Sequence, residues 1–318
     1  MQATHYFKIC NNRRVDRLGA MEVFVRVVDE GSFAGAARSL RVSPPSITRA
    51  VASLEDHLDT QLLTRTTRRL ALTDSGRRYV EDCRRILSEL DTAEAAATGA
   101  FVRAKGTIHI TAPVMFGQLH VLPVLGEFLD QHPAVDARTL FLDRIVHLID
   151  EGMDVAVRIG HLPDSSLRAI RVGSVRSVVV AAPRYLDEHG PPLEPEDLLH
   201  HDIVAVSREP MPNVRWDFGE EKIQSVTLEP RLCANTIAAG LHAAESGWGV
   251  TRLLSYQVHE AIAAGRLVRV LASAEPGPIP VHLVHPDARH TSAKVRTFLE
   301  FASAKLRARL SAIAEAFP

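Results

Sequence analysis

The stretch RVSPPSITRAVASLE, residues 41–55, carries hydroxyl and guanidinium groups on a segment whose spacing predicts a helix. Its apolar residues recur at intervals of three and four, which places them on one helical face. Pro44 and Pro45 precede this pattern, and proline is tolerated in a first helical turn because the N–H groups there have no intrahelical partner. We therefore predict that the prolines begin the helix, with Ser43 as its N-cap, and that Arg49 follows one turn later.

Two shorter helices are predicted ahead of this one, the first ending at Gly31 and the second starting after Ser32. Small residues in the second helix, Ala36 and Ala37, allow the close helix approach that a helix-turn-helix requires. In that motif the first turn of the last helix enters the major groove of DNA, where hydroxyl and guanidinium groups meet base edges and phosphates. The candidate contacts on these helices are Ser32, Ser43, Pro44, Pro45, Ser46, Thr48 and Arg49.

Basic residues follow where a small β-hairpin, or wing, is predicted from Leu62, Leu63, Leu70 and Leu72. Between residues 61 and 80 there are five arginines and a single acid, on a chain whose net charge is −1. Such a local excess of positive charge is typical of phosphate binding. The candidate contacts at the tip of the wing are Arg65, Thr66, Thr67, Arg68 and Arg69. A three-helix bundle with a solvated basic face is the alternative, and the arginine-rich hairpin favours DNA.

Residues 21–83, from MEVFVRVVDEGSFAGAARSL to LTDSGRRYVEDC, resemble without a gap the winged helix-turn-helix of LysR-type transcriptional regulators. The resemblance implies a sequence-specific regulator that binds double-stranded DNA. One position departs from the family pattern, because many members carry glutamine where this chain has Pro44. Proline cannot donate a hydrogen bond, so readout at this position is apolar or absent and Arg49 gains importance.

A long helix is predicted over residues 75–100, capped by the Thr-Asp-Ser sequence at 73–75. Apolar residues recur along it at intervals of three and four, namely Val80, Cys83, Leu87, Leu90, Ala97 and Phe101. This spacing is typical of a coiled-coil seam with a second subunit. Packing of the helix on its own domain is the alternative. The resemblance implies a dimerising linker helix here, and a homotetramer as the assembly.

From Gly106 onwards, short β-branched runs alternate with helical segments, which predicts an α/β domain. Strands are expected at 107–111, 136–141, 154–159, 174–181, 202–206, 224–230 and 281–285, with helices at 117–131 and 236–246. The fold class is therefore mixed: a mainly helical winged module, a linker helix and an α/β domain. The resemblance extends from about residue 18 over nearly the whole chain and implies a sensor of two subdomains, 107–181 with 286–318 and 182–285, that hold a small-molecule effector between them.

The residues expected in this cleft lie near strand ends and helix starts, where open α/β sheets bind ligands. They are Pro113, Val114, Met115, Phe116, Leu142, Asp143, Arg158, Gly160, Ser207, Asn235, Thr236 and Thr251. Three alternatives remain open. Arg158 binds a carboxylate or forms an ion pair with Asp154 or Asp143. Met115 and Phe116 line a wall or belong to the core, and Asn235 and Thr236 face the cleft or only cap a helix.

The expected domain bounds are 1–17 for a disordered N-terminal extension, 18–74 for the winged helix-turn-helix, 75–104 for the linker helix and 105–318 for the effector domain. The first fourteen residues, MQATHYFKICNNRR, show no helical stripe or motif. We therefore hypothesise that Val15 is the natural initiator and that residues 1–14 are an upstream extension.

Composition argues against several other classes of protein. A chain with 46% hydrophobic and 24% charged residues and no long apolar run is typical of a cytoplasmic globular protein without a membrane span. Its three distant cysteines indicate neither a disulfide framework nor a zinc site. HExxH, GxSxG and phosphate-loop motifs are absent, and adjacent His200 and His201 lack a third metal ligand, so no cofactor is predicted. The alternative function is an α/β enzyme or solute-binding protein with an unrelated helical domain.

Overall fold

A computed structural model describes residues 16–65, 70–98, 104–163, 167–207, 211–220, 223–286 and 292–317. These residues form two compact units, and the chain passes from the first to the second between Val102 and Arg103. Each unit has its own buried core. Within the described ranges, no helix has the length and apolar character needed to cross a membrane.

The N-terminal unit contains the three predicted helices and the predicted wing. The helices are α1 (Arg17–Asp29), α2 (Phe33–Leu40) and α3 (Pro44–Leu58), and the wing is β1 (Leu63–Arg65) paired antiparallel with β2 (Leu70–Leu72). Ser32 caps α2, since its Oγ accepts a hydrogen bond from the Gly35 amide at 3.0 Å. Arg41 adopts a left-handed conformation, with φ of 55°, and turns the chain from α2 into α3.

One face of each helix forms the core of this unit. The predicted stripes are buried, including Phe24 and Val27 of α1 and Ile47, Val51 and Leu54 of α3. Spacing alone predicts Met21, Phe24, Val27 and Val28 as the buried face of α1. The structure corrects this, because Ala20 and Val23 are buried whereas Met21 and Val28 only flank the core.

The long helix α4 (Asp74–Thr98) begins inside this core. Val80 and Cys83 are buried there, and burial raises the pKa of the Cys83 thiol to about 11. The prediction that these two residues belong to a seam with another subunit is therefore corrected, because they pack on their own unit. Leu87 and Leu90, further along α4, are half-buried. The side chain of Ala97 and all of Phe101 lie outside the described residues.

The C-terminal unit has two lobes, each built on a five-stranded sheet. The strands of the first lobe are β3 (Gly106–Ala112), β4 (Val135–Phe141), β5 (Val155–Ile159), β6 (Leu167–Val175) and β14 (Ile279–Pro286). Their order is β4-β3-β5-β14-β6, with β14 antiparallel to both of its neighbours and the other pairs parallel. The helices are α5 (Val114–Phe116), α6 (Leu122–Gln131) and α10 (Ala293–Ala316), and a π-helical turn (Gly117–Val121) joins α5 to α6.

The second lobe repeats this plan. Its sheet contains β7 (Ser177–Ala181), β8 (Ile203–Val206), β11 (Pro230–Ala234), β12 (Val250–Leu254) and β13 (Val268–Val270), in the order β11-β8-β12-β7-β13. Here β7 is the strand that runs antiparallel to both neighbours. The helices are α7 (Pro183–His189), α8 (Ile237–Glu245) and α9 (Ser255–Ala263), and β9 (Val214–Phe218) pairs with β10 (Gln224–Leu228) as a separate hairpin.

Two predicted strands are each divided in the structure. The segment 174–181 breaks at Arg176, so that β6 belongs to the first sheet and β7 to the second, and 224–230 is shared between β10 and β11. The chain therefore passes between the lobes at Arg176 and again at 275–278. The expected boundaries placed β7 in the first subdomain and β14 in the second. The structure places each strand in the other lobe, because β7 pairs within the second sheet and β14 within the first.

The π-helical turn brings His120 into the core of the C-terminal unit. Its ring lies 4.9 Å from that of Phe116 and 5.6 Å from that of Tyr256, measured between centroids. Neither ring nitrogen hydrogen-bonds to a described residue. Burial, together with the charges of Arg309 and His259, lowers the pKa of His120 to about 4. The imidazole is therefore neutral at pH 7.

Candidate functional site

On the helices, the hydroxyl groups predicted to contact DNA are held in local hydrogen bonds. Ser43 occupies the N-cap position of α3, but its side chain caps no amide; its Oγ lies 2.8 Å from the Oγ of Ser46. Ser32 has the capping role in α2 described above. At the wing, the side chain of Arg65 and all of Thr66, Thr67, Arg68 and Arg69 lie outside the described residues.

The first turn of α3 presents two prolines and an arginine to solvent. Pro44, Pro45 and Arg49 are exposed, and Thr48 is half-buried. Thr48 Oγ1 donates to the Pro44 carbonyl at 3.2 Å, and Arg49 Nε donates to the Pro45 carbonyl at 3.4 Å. The structure thus brings the predicted residues of α3 together on one surface.

A carboxylate of α3 fixes the base of the wing. Glu55 Oε1 accepts hydrogen bonds from the Leu62 amide at 2.7 Å and the Leu63 amide at 3.0 Å. At the end of the hairpin, Thr73 Oγ1 accepts a hydrogen bond from the Gly76 amide at 2.9 Å and so caps α4. Sequence reasoning did not assign a role to Glu55. The sequence did contain a hint of this role, because Leu54 and Glu55 belong to the stretch that resembles the LysR family.

A cleft of about 560 Å³ opens between the two lobes of the C-terminal unit. It lies beyond the ends of β3, β4 and β5 in the first lobe, and of β8 and β11 in the second. Ligands of open α/β sheets bind at such carboxyl ends of strands, and the volume suits a small organic molecule.

Seven of the twelve residues predicted for the cleft line it, and they come from both lobes. They are Pro113, Leu142, Asp143, Arg158, Gly160, Ser207 and Asn235. Asp143 is the one acidic side chain among the described residues of the lining, and its Oδ1 accepts a hydrogen bond from the Val114 amide at 2.9 Å.

The other five predicted residues lie outside the lining. Phe116 is fully buried in the core, and Met115 packs against the same core, so the alternative interpretation applies to both. Thr251 is also fully buried, and its Oγ1 donates to the Val204 carbonyl at 2.8 Å. Thr236 caps α8 by accepting a hydrogen bond from the Ala239 amide at 3.3 Å. Val114 does not line the cleft, but its backbone amide donates the hydrogen bond to Asp143 described above.

Arg158 is a half-buried cation in the cleft. Its Nη2 donates to the Val146 carbonyl at 3.1 Å, and no described acidic side chain forms an ion pair with it. The expected ion pair with Asp154 or Asp143 is therefore corrected. Asp154 instead accepts a hydrogen bond from the His109 amide at 2.8 Å and lies 3.5 Å from Lys294 Nζ. The Arg158 guanidinium remains available to a ligand in the cleft.

A second cation of the lining, Arg252, was missed by sequence reasoning. Its Nε donates to Ser177 Oγ at 2.8 Å and its Nη1 to the Asp217 carbonyl at 3.0 Å. The guanidinium carbon lies 5.9 Å from the ring centroid of Trp216 and 5.7 Å from that of Phe218. Burial lowers the pKa of Arg252 from its ordinary value, although the group stays charged at neutral pH. Arg252 thus places a fixed positive charge in the wall of the cleft.

A helix-turn-helix unit with a wing, followed by a two-lobed domain with a ligand-sized cleft, defines the class of ligand-responsive DNA-binding regulators. Residues 18–77 match the family model of the bacterial regulatory helix-turn-helix protein, lysR family, and residues 103–307 match that of the LysR substrate binding domain. The chain belongs to the LysR family of bacterial transcriptional regulators.

Individual relatives agree over nearly the whole length. An HTH-type transcriptional regulator of Haemophilus influenzae is 32% identical over 282 residues, covering 88% of this chain and 98% of its own. The regulator PtxR of Pseudomonas aeruginosa is 35% identical over 284 residues, covering 89% and 91%. The structure of CrgA, a LysR-type regulator from Neisseria meningitidis, has a TM-score of 0.59 at 29% identity, covering 91% and 98%. These relatives are regulators rather than enzymes, which confirms the function predicted from the sequence.

Proposed function

We propose that this regulator binds two-fold-related DNA half-sites as a dimer, in the cytoplasm where the bacterial chromosome lies. Each subunit contributes the first turn of α3 to the major groove and the arginine-rich wing to the phosphates. The observation that carries this proposal is the exposed surface of Pro44, Pro45 and Arg49 at the start of α3. The half-buried Leu87 and Leu90 on α4 support pairing through that helix. A homotetramer of two such dimers is the assembly we expect from the family.

We further propose that the effector is a small organic anion, carboxylates being the first candidates. Arg158 and Arg252 supply two positive charges to the lining, whereas Asp143 supplies one negative charge. The third arginine, Arg144, is already neutralised by two hydrogen bonds to the carboxylate of Glu151, at 2.6 and 2.8 Å. The described part of the lining is therefore net positive, and arginine binds carboxylates in a bidentate manner.

The rest of the lining favours an apolar body on the same ligand. Aliphatic side chains come from both lobes: Leu142, Ile145, Val146, Leu162, Val206, Ile237, Leu253 and Leu254. Specific pockets typically combine such apolar walls with a few well-placed polar groups. Ser207 and Asn235 are among the neutral polar residues of this lining. They give the ligand additional hydrogen-bonding partners.

The passages of the chain at Arg176 and at 275–278 are the points about which the lobes can move. A ligand that binds both lobes favours the closed arrangement, because it contacts both walls only when they approach. We propose that this change alters the spacing of the DNA-binding units in the dimer, and with it the affinity for the operator.

Ligand-induced thermal stabilisation of the full-length protein tests the effector class. Benzoate, succinate and glutarate serve as anionic probes, with their neutral amides for comparison. We expect at least one carboxylate to raise the melting temperature and the amides to have little effect.

Arg252→Gln and Arg158→Gln should each weaken the binding of that carboxylate by about tenfold or more, because each removes a charge-assisted hydrogen bond. Arg266→Gln, which alters an exposed ion pair with Glu245, is the matched control. Equal stabilisation by acid and amide would contradict the proposal.

A further inference from the structure

The start of α3 lacks the free amide donors that a helix N-terminus usually offers. Proline occupies its first two positions, so two backbone N–H groups are missing there. The next two amides, of Ser46 and Ile47, both donate to the Ser43 carbonyl, at 2.9 and 3.4 Å. Within this described turn, no amide is left to hold a phosphate in the way that helix N-termini otherwise do.

The hydroxyl groups of the same turn make local hydrogen bonds as well. Ser43 and Ser46 bond to each other, and Thr48 bonds to the Pro44 carbonyl. The pyrrolidine rings of Pro44 and Pro45 are the apolar groups that this turn exposes. The hydrogen bond from Arg49 Nε to the Pro45 carbonyl holds the guanidinium at the edge of the same surface.

In the major groove, the apolar feature of the base pairs is the C5-methyl group of thymine. A proline ring gains contact with such a methyl group. It offers no hydrogen bond to the amino groups and acceptor atoms of the other bases, so covering those atoms leaves them unpaired at a cost. A surface of two adjacent prolines therefore discriminates in favour of thymine.

We infer that Pro44 and Pro45 are specificity-determining residues that read thymine methyl groups in each half-site, beside the base pair contacted by Arg49. The inference rests on the proposed binding of DNA by α3 and states what this helix reads. It assigns a function to the position where this chain departs from the glutamine common in its family.

Base analogues test the inference with the unmodified full-length protein. The operator is first located by footprinting on the DNA upstream of the protein's own gene, with random DNA in excess. Each thymine of a half-site is then replaced in turn by deoxyuracil, which removes the methyl group and keeps the base pairing. We expect binding to weaken by about fourfold at one or two positions in each half-site, the effect of losing one buried methyl group. The remaining positions should show little change.

A second set of duplexes separates the methyl group from the rest of the thymine base. At a sensitive position, the T·A pair is replaced by C·G and by 5-methylcytosine·G. The methylated pair should bind more tightly than the unmethylated one by a similar factor.

Protein variants identify the side chains that read the methyl group. Pro44→Ala keeps a residue that begins a helix well but removes the ring. This variant should therefore bind the deoxyuracil duplex almost as tightly as the thymine duplex. Pro183→Ala is the matched control, because Pro183 is an exposed proline at the first position of α7. It should keep the full penalty.

Three results would overturn the inference, and they are distinguishable. If every deoxyuracil is tolerated while the operator is still preferred over random DNA, the prolines do not read methyl groups and the proposed function stands. If the penalty persists in both Pro44→Ala and Pro45→Ala, another side chain reads the methyl group. If no DNA is preferred over random sequence, the proposed recognition by α3 fails and the inference fails with it.

Discussion

Arg49 is the residue of α3 with the clearest capacity to select a base pair. We expect Arg49→Ala to relax specificity at one position of the operator and to cost roughly 1–3 kcal/mol of specific binding, since arginine pairs with guanine through two hydrogen bonds. Arg68→Ala in the wing should weaken binding to all DNA. It should also reduce the slope of log binding constant against log salt concentration by about 1, the value of one phosphate contact. Titrations on operator and random DNA at several salt concentrations measure both effects. Equal losses on both DNAs for both variants would contradict this division of roles.

His120 makes the stability of the C-terminal unit depend on pH. Its pKa is about 4 in the folded protein, below the ordinary value, so the unfolded chain binds the additional proton as the pH falls. The stabilising contribution of neutral His120 is therefore complete above about pH 6.5 and is lost progressively towards pH 4. We expect His120→Leu to remove about 2 kcal/mol of the stability difference between pH 7.5 and pH 5. Urea unfolding at the two pH values measures it.

An exposed histidine provides the control for this prediction. His242 lies exposed on α8 in the second lobe, and His242→Gln is the matched control for the loss of a histidine outside the core. Identical pH profiles for His120→Leu and the unmodified protein would show that His120 does not contribute.

Residues of the candidate site differed in how far the sequence predicted them. The surface of Pro44, Pro45 and Arg49 follows from positions close together in the chain, and the pattern located all three. Arg252 could not be found in this way, because its environment depends on Trp216 and Phe218 of the unpredicted strand β9 and on Ser177 of β7. The sequence next to an arginine in a strand does not show which distant residues will surround it.

At the scale of elements, the wing depends on α3 through Glu55. We expect Glu55→Ala to weaken binding to both specific and random DNA, because Leu62 and Leu63 lose the acceptor that fixes the start of the hairpin. Glu55 is a positioning residue here, and each hydrogen bond to its charged group is worth roughly 1.5–3 kcal/mol. Fluorescence anisotropy with both DNAs, together with a melting curve, measures the effect.

Asp56 is the matched control for Glu55. It is the next acid on α3, is exposed, and accepts no side-chain hydrogen bond from the described part of the wing. Asp56→Ala should therefore leave the wing in place and should not weaken DNA binding. A Glu55→Ala protein with unchanged DNA affinity would show that the wing does not need this anchor.

The elements that the sequence predicted best are those fixed by local spacing. The helices α1, α2 and α3 and the wing follow from periodicity and capping residues within about one helical turn. The division of 174–181 into β6 and β7 had no such signal. It is determined by pairing of β6 with β14 and of β7 with β12 and β13, which lie far along the chain. For the same reason the limits of the two lobes were displaced by one strand.

At the scale of the whole molecule, α4 has two parts with different expected roles. Val80 belongs to the core of its own unit, whereas Leu87 and Leu90 are half-buried in a single chain. We expect replacement of both leucines by lysine to weaken dimer formation by more than tenfold with little change in the melting temperature of the dissociated protein. Val80→Ala should instead lower the stability of the N-terminal unit by about 2 kcal/mol. Sedimentation equilibrium and thermal unfolding distinguish the two effects, and a leucine variant that stays dimeric would exclude α4 as the dimer contact.

The position of β14 has a consequence for the order in which this protein is made. β14 lies between β5 and β6 and pairs with both, yet it leaves the ribosome only after all the strands of the second lobe. The second sheet is therefore complete in the nascent chain while the first still lacks β14, the strand that joins β5 to β6. Because lobes tend to fold as units during synthesis, the lobe that is translated first is the one that finishes folding last. A chain stalled before Ile279 carries β5 and β6 with unpaired edges, which makes it a natural target for chaperones and proteases.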